Sequence, residues 1–249
     1  MRRASELALN GLFVKICGIT NEEDALLCVA MGADALGFVF AAGSSRQVSV
    51  STVAEIVRRL PPEIVTLGVF RDELPERVID IVSKCGLTGA QLHGHETAAQ
   101  CARVAAAVGF CVQAFPAGDK TIDRAKTYPV EVVIIDNPRP GSGEVFDWTL
   151  AEVPDGKKLL LAGGLSPENV ADAVSSIQPW GVDVSSNVES APGQKDPRKV
   201  RAFIGNARKA AEAFPDAYGD ESDLLGDLLN HNDPVESGYV PYDWQDEAS

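Results

Sequence analysis

Two residues stand out by type and place. Cys17 ends the apolar run in "FVKICGIT", and Asp136 ends "VEVVIID". A thiol, with an ordinary pKa of about 8.5, becomes a useful base only where its surroundings favour the thiolate. A carboxylic acid donates near neutrality only where burial lifts it well above its usual value of about 3.9. One base and one acid across a bound molecule can move a proton between carbon and oxygen. Simpler roles compete: a packed thiol for Cys17, and a dipole contact to the following helix for Asp136.

A second group of residues suits anion binding. Gly163-Gly164 and Ser185-Ser186-Asn187 follow two later apolar runs and offer backbone N–H groups and hydroxyls. Arg46, in the polar loop "AAGSSRQVS", has the planar fork that grips a carboxylate by two bonds. His93 and His95 form an H-x-H without a third ligand at recognisable spacing, so no metal is expected. Lys15 shares strand parity with Cys17, which leaves two options: a Schiff-base lysine one layer deeper, or an ion pair with Asp183.

These residues need a frame, and the chain alternates in a way that provides one. The runs "FVKIC", "ADALGFVF", "IVTLGVF", "TGAQLH", "FCVQAF", "VEVVIID", "KKLLLAG" and "GVDVSS" begin 20 to 31 residues apart. Helical signals separate most of them. Thr20 and Glu23 make a capping box with Gly32 at the far end, Ser51 opens "TVAEIVRRL", and Ser166-Pro167-Glu168 starts another helix. A final helix is predicted over Asp196 to Phe214, whereas the sixth, near "FDWTLAEV", is short. Eight β/α units predict a (β/α)8 barrel, a single α/β domain over 13–214, between an N-terminal extension (1–12) and an acidic tail (215–249). An open doubly wound sheet is the competing arrangement, but "CGIT" is no dinucleotide fingerprint. In a barrel the site lies at the carboxyl ends of the strands, where Cys17, His93, Asp136, Gly164 and Ser185 all fall.

Bulk composition narrows the class. The 249 residues carry a net charge of −14, and ten acidic residues with no Lys or Arg lie in Pro215–Ser249, leaving −4 over the remainder. No basic stripe exists to neutralise phosphates, which argues against nucleic acid as a partner. No apolar window reaches membrane-spanning length, and "MRRASELALN" lacks the apolar core of a secretory signal. Five cysteines without C-x-x-C spacing suit a reducing compartment, and a cytoplasmic protein is the expectation. The tail reads as a solvated appendage, with "LLGDLL" and Tyr239, Tyr242 and Trp244 as the residues that could dock.

"VKICGIT", "GADALGFVFAAGSSRQVS", "LGVF", "QLHGHE", "IIDN…GSGEVFDW", "LLLAGGLSPENV" and "VDVSSNVESAPGQKD" together resemble the phosphoribosylanthranilate isomerase family of tryptophan biosynthesis, over roughly Phe13 to Ala213. The resemblance implies a cofactor-free Amadori rearrangement of N-(5′-phosphoribosyl)anthranilate to the 1-deoxyribulose 5-phosphate. It implies Asp136 as general acid at the furanose oxygen and Cys17 as general base at C2′. It further implies Arg46 on the anthranilate carboxylate, Gly163, Gly164 and Ser185 to Asn187 around the phosphate, and His93 and Asp183 lining the pocket. Many relatives carry glycine where this chain has Asn187. The partner is then a small molecule, with neither nucleic acid nor membrane, and the chain a monomer or homodimer. The histidine-pathway isomerase on the same barrel, or a bifunctional relative, is the nearest alternative, but it uses an aspartate where this chain has Cys17. A phosphate-binding barrel without activity is the non-enzyme alternative.

Overall fold

Phe13, Lys15 and Cys17 point one way from their strand, and Val14 and Ile16 the other, yet every one of them is buried. A strand buried on both faces belongs to a parallel sheet covered by helices. The computed structural model, which describes residues 11–137, 147–151 and 153–218, shows that arrangement. Its eight parallel strands are β1 (Phe13–Cys17), β2 (Ala35–Val39), β3 (Val65–Phe70), β4 (Gly89–Leu92), β5 (Phe110–Pro116), β6 (Val132–Asp136), β7 (Lys158–Leu161) and β8 (Gly181–Val184). They close into a barrel in sequence order, with Phe13 to Ile16 of β1 registered on Gly181 to Val184 of β8. That closure excludes the open doubly wound sheet.

Two apolar cores follow from the two strand faces. Inside the barrel lie Phe13, Leu67, Phe110, Val112, Val132, Ile134 and Leu160. Trp180 stacks on Phe13, with ring centroids 4.5 Å apart, at the end opposite the strand termini that bear the site. Outside, Ile16, Leu36, Phe38, Leu92, Val133, Ile135 and Leu161 pack against the helices. Each such side chain contributes about 1.5–3 kcal/mol on burial.

The helices are α1 (Glu22–Ala30), α2 (Val50–Val57), α3 (Pro75–Cys85), α4 (Ala98–Ala105), α5 (Val170–Ile177), α6 (Pro197–Ala211) and a single turn α7 (Pro215–Tyr218). Three caps differ from the sequence expectation. Asn21, not Thr20, caps α1 by accepting from the Asp24 N–H at 2.8 Å. Thr20 is drawn off to donate its hydroxyl to the Gly193 carbonyl. Ser49, two residues ahead of Ser51, caps α2. Ser166 N–H donates to Asn169 Oδ1 and Asn169 N–H donates back to the Ser166 carbonyl, so the helix proper starts at Val170.

Among the described residues two connections show no α-helix. Lys120–Thr127 winds as a 3₁₀-helix between β5 and β6, and the short segment near "FDWTLAEV" is a 3₁₀ turn at Trp148–Leu150. The barrel's packing runs past residue 214, because Tyr218 donates its hydroxyl to the Pro179 carbonyl at 2.9 Å. Residues 1–10 of the expected extension, the "GSGEVF" motif and residues 219–249, with "LLGDLL" and its aromatics, lie outside the described residues. Among the described residues no helix is long and apolar enough to cross a membrane.

Candidate active site

The carboxyl rim of the barrel has two differently built sides. On the first, Cys17 closes β1 directly above the fully buried Lys15, whose ammonium donates to Asp183 Oδ1 at 2.9 Å. The ion-pair reading of Lys15 is therefore the observed one, and Asp183, expected to line the pocket, is occupied beneath the thiol. Gly37 faces Cys17 in register on β2. A Cβ there would lie 2.7 Å from Cys17 Sγ and 3.0 Å from Lys15 Nζ, so glycine is what admits both groups. Burial pushes the Cys17 thiol above its ordinary value, and the Asp183 carboxylate adds to this while the ammoniums of Lys15 and Lys195 oppose it. For Lys15, burial favours the neutral amine, but Asp183 and Cys17 together outweigh it and hold the ammonium above its ordinary value.

The same side is braced by residues that the sequence reading missed. Lys195, on the hairpin of Glu189–Ala191 and Gln194–Lys195, donates to the carbonyls of Cys17 (2.7 Å) and Ser185 (3.2 Å) and to Glu189 Oε1 (2.9 Å). Glu189 in turn takes Arg46 by two bonds, Nε at 2.8 Å and Nη2 at 2.7 Å. Burial alone would raise the Glu189 carboxyl, yet Arg46 and Lys195 hold it below the usual carboxylate range. Glu189 likewise keeps Arg46 above its ordinary value. Arg46 thus reaches the rim already oriented by a buried carboxylate. Gly18 makes room: its φ is +78°, and a Cβ on it would sit 2.5 Å from Arg46 Cδ and 2.8 Å from Ser185 Oγ.

On the second side, Asp136 ends β6 and Asn137 N–H donates to its Oδ1 at 2.7 Å. His93, one residue past β4, places Nε2 3.1 Å from Asp136 Oδ2. Gln91, two residues earlier on the same face, brings its Nε2 to 2.8 Å from His93 Nδ1. Both His93 and Asp136 keep a little exposure, 18% and 12% of their side chains, which leaves the carboxyl reachable from the mouth. His95 turns away to the Asp72 carboxylate, so the two imidazoles of the H-x-H serve different partners. β7 and β8 lie between Asp136 and Cys17 around the barrel.

Those two intervening strands lead into the anion-binding candidates. Gly163 and Gly164 have φ of +80° and +71°, a conformation that strains any side chain. Asn169 donates to the Gly164 carbonyl and Asn187 to the Leu165 carbonyl, each at 3.0 Å, which ties the loop after β7 to the loop after β8. Gly164, Ser166, Glu168, Asn169, Ser186, Asn187 and Lys199 border a cavity of ≈ 400 Å³. Lys199 was also missed from sequence; it donates to the Glu189 carbonyl at 2.8 Å and adds positive charge beside that cavity.

Comparison with known proteins bears on this arrangement. Residues 14–206 match the family model described as N-(5′-phosphoribosyl)anthranilate (PRA) isomerase. An N-(5′-phosphoribosyl)anthranilate isomerase from Desulforudis audaxviator is 46% identical over 205 residues, covering 79% of this chain and 98% of the relative. The crystal structure of phosphoribosyl anthranilate isomerase from Thermotoga maritima superposes with a TM-score of 0.73 at 40% identity, over 80% of this chain and 99% of that one. A further crystal structure of a phosphoribosyl anthranilate isomerase, in complex with reduced 1-(o-carboxyphenylamino)-1-deoxyribulose 5-phosphate, gives 0.71 at 39% identity with the same coverage.

Proposed function

The chain belongs to the phosphoribosylanthranilate isomerase family, and from that premise we propose how its own residues carry out the aldose–ketose isomerisation of N-(5′-phosphoribosyl)anthranilate in tryptophan biosynthesis. The observation that carries the proposal is the placing of one thiol and one carboxyl on the same rim, each with its own proton-managing partner.

The substrate's two anionic ends orient it. Its phosphate enters the cavity between Gly164 and Ser185–Asn187, against backbone N–H groups and near Lys199. Its carboxylate takes the N–H groups of Arg46 that Glu189 leaves over. The ribose then spans the mouth between Cys17 and Asp136, and holding reactants in place in this way removes much of the entropic barrier.

Asp136 gives its proton to the furanose oxygen, the C1′–O bond breaks, and the anthranilate nitrogen supplies the electron pair that makes a protonated Schiff base. The Asp136 carboxylate left behind keeps two donors, His93 Nε2 and Asn137 N–H. The Cys17 thiolate next removes the C2′ proton, and those electrons move into C1′ and neutralise the nitrogen as an enolamine. Ketonisation puts a proton on C1′ and frees one from the C2′ hydroxyl, so no proton is gained or lost overall. The Lys15 ammonium below Cys17 favours the thiolate at the moment of abstraction.

We place the reaction in the cytoplasm, where the five buried, unpaired cysteines stay reduced, and the chain acts as a monomer or a homodimer. The fluorescence of phosphoribosylanthranilate, generated in place from anthranilate and phosphoribosyl pyrophosphate, tests the proposal. Rapid loss with wild type is expected; persistence with folded wild type overturns it and makes the histidine-pathway aminoaldose the next substrate to try.

A further inference from the structure

Gln91 is a polar residue where packing favours an apolar one. Its neighbours in register are Val69 on β3 and Val112 on β5, and only 1% of its surface is exposed. Its Oε1 meets no hydrogen-bond partner among the described residues. A buried carbonyl oxygen without a partner is unfavourable, and methionine, of similar length, would avoid that penalty. What accounts for the amide is the other end of it. A carboxamide N–H can only donate, so His93 Nδ1, at 2.8 Å, must accept. The single ring proton then sits on Nε2, 3.1 Å from Asp136 Oδ2.

We propose that Gln91 is a positioning residue for the isomerisation: it fixes His93 as the Nε2–H tautomer, which makes His93 a donor to Asp136 and not an acceptor of its proton. The inference rests on Asp136 being the acid. With Nε2 already protonated, the imidazole has no lone pair facing the carboxyl, so the proton Asp136 carries is not drawn off into the ring and remains for the furanose oxygen. Once that proton has gone, the same Nε2–H and the Asn137 N–H both point at the new carboxylate. The opposite tautomer would turn a lone pair towards Asp136 and hold the acid's proton on the wrong side, away from the substrate.

The full chain, labelled with ¹⁵N on its three histidines, gives a direct reading through two-bond ¹H–¹⁵N correlation, with His93→Asn identifying the signal. The expected result is the Nε2–H tautomer for His93; an Nδ1–H ring overturns the proposal. Gln91→Met should lower kcat about 10- to 100-fold, a share of the roughly 10²–10⁴-fold that a positioned acid contributes, with KM within about threefold and a mixed tautomer. Gln91→Glu, which offers His93 an acceptor, should impose the wrong tautomer and lower kcat further. Folded Gln91→Met with wild-type kcat, or with lowered kcat and an unchanged tautomer, overturns the proposal. Should Gln91→Met fail to fold, the wild-type spectrum and Gln91→Glu still decide. An inactive Asp136→Asn beside an unaffected Gln91→Met removes this inference alone, whereas an active Asp136→Asn removes the acid assignment beneath it.

Discussion

The two sides of the barrel mouth are built by different means. Around Cys17, β1, β2, β8 and the hairpin assemble charges: Lys15 on Asp183, and Arg46 and Lys195 on Glu189, nearly all of them buried. Around Asp136, β4 and β6 assemble a relay of hydrogen bonds from Gln91 through His93. The contrast fits what each side is asked to do. A buried thiol becomes an anion only beside cations, and cations can be buried only beside carboxylates, so the thiol's side grows into a network. In the proposed reaction Asp136 has a proton to deliver and needs donors that hold its carboxylate afterwards, which neutral groups can supply.

The largest effects should come from removing the proposed base and acid themselves. Cys17→Ala and Asp136→Asn should each lower kcat/KM by about 10²–10⁴-fold in the fluorescence assay, with circular dichroism unchanged. If only one of them matters, the two-sided account is broken.

Next comes the charge network. Glu189→Ala strands Arg46 and Lys195, and should cost about 3–5 kcal/mol in urea unfolding. Its depressed carboxyl also sets a sign: the stabilisation is present above the ordinary glutamate pKa and is lost as pH falls through the lower folded value. Glu189→Gln should remove that part of the acid sensitivity.

A sharper comparison is Lys15→Met, made together with Asp183→Asn so that no lone carboxylate stays buried. Burial already raises the thiol, and losing the Lys15 ammonium raises it further, by more than losing the Asp183 carboxylate lowers it. Less thiolate is then present at any fixed pH, so the rising alkaline limb of kcat/KM should move to higher pH. The rate at pH 7 should fall about tenfold for every pH unit that the limb moves. An unmoved limb would separate Lys15 from the base. Least is expected of Asn187→Gly, which loses the bond to the Leu165 carbonyl, about 0.5–1.5 kcal/mol for that bond, and should change KM severalfold without altering kcat.

How much of this was legible beforehand follows from sequence distance. The barrel could be read because each β/α unit is local, and strand parity alone put Cys17 over Lys15. The caps slipped by one to three residues because several hydroxyl and amide side chains compete at each helix start, as Thr20 and Asn21 do. The site residues at strand ends could be named, but not their partners. Arg46 and Glu189 are 143 positions apart, and Lys195 reaches Cys17 over 178, so no spacing connects them. Gln91 was within reach, since it shares face parity with His93 two residues on, but a glutamine in an apolar run carries no signal until its neighbour's role is known.

The central claim is that the two sides act on different bonds, and a substrate deuterated at C2′ tests it. Cys17→Ser weakens the base, so removal of the C2′ proton should become limiting and the isotope effect on kcat should rise towards a full primary value. Asp136→Asn slows ring opening, so its isotope effect should stay near one. A full effect with Asp136→Asn and none with Cys17→Ser would contradict the assignment of Cys17 to carbon and Asp136 to oxygen.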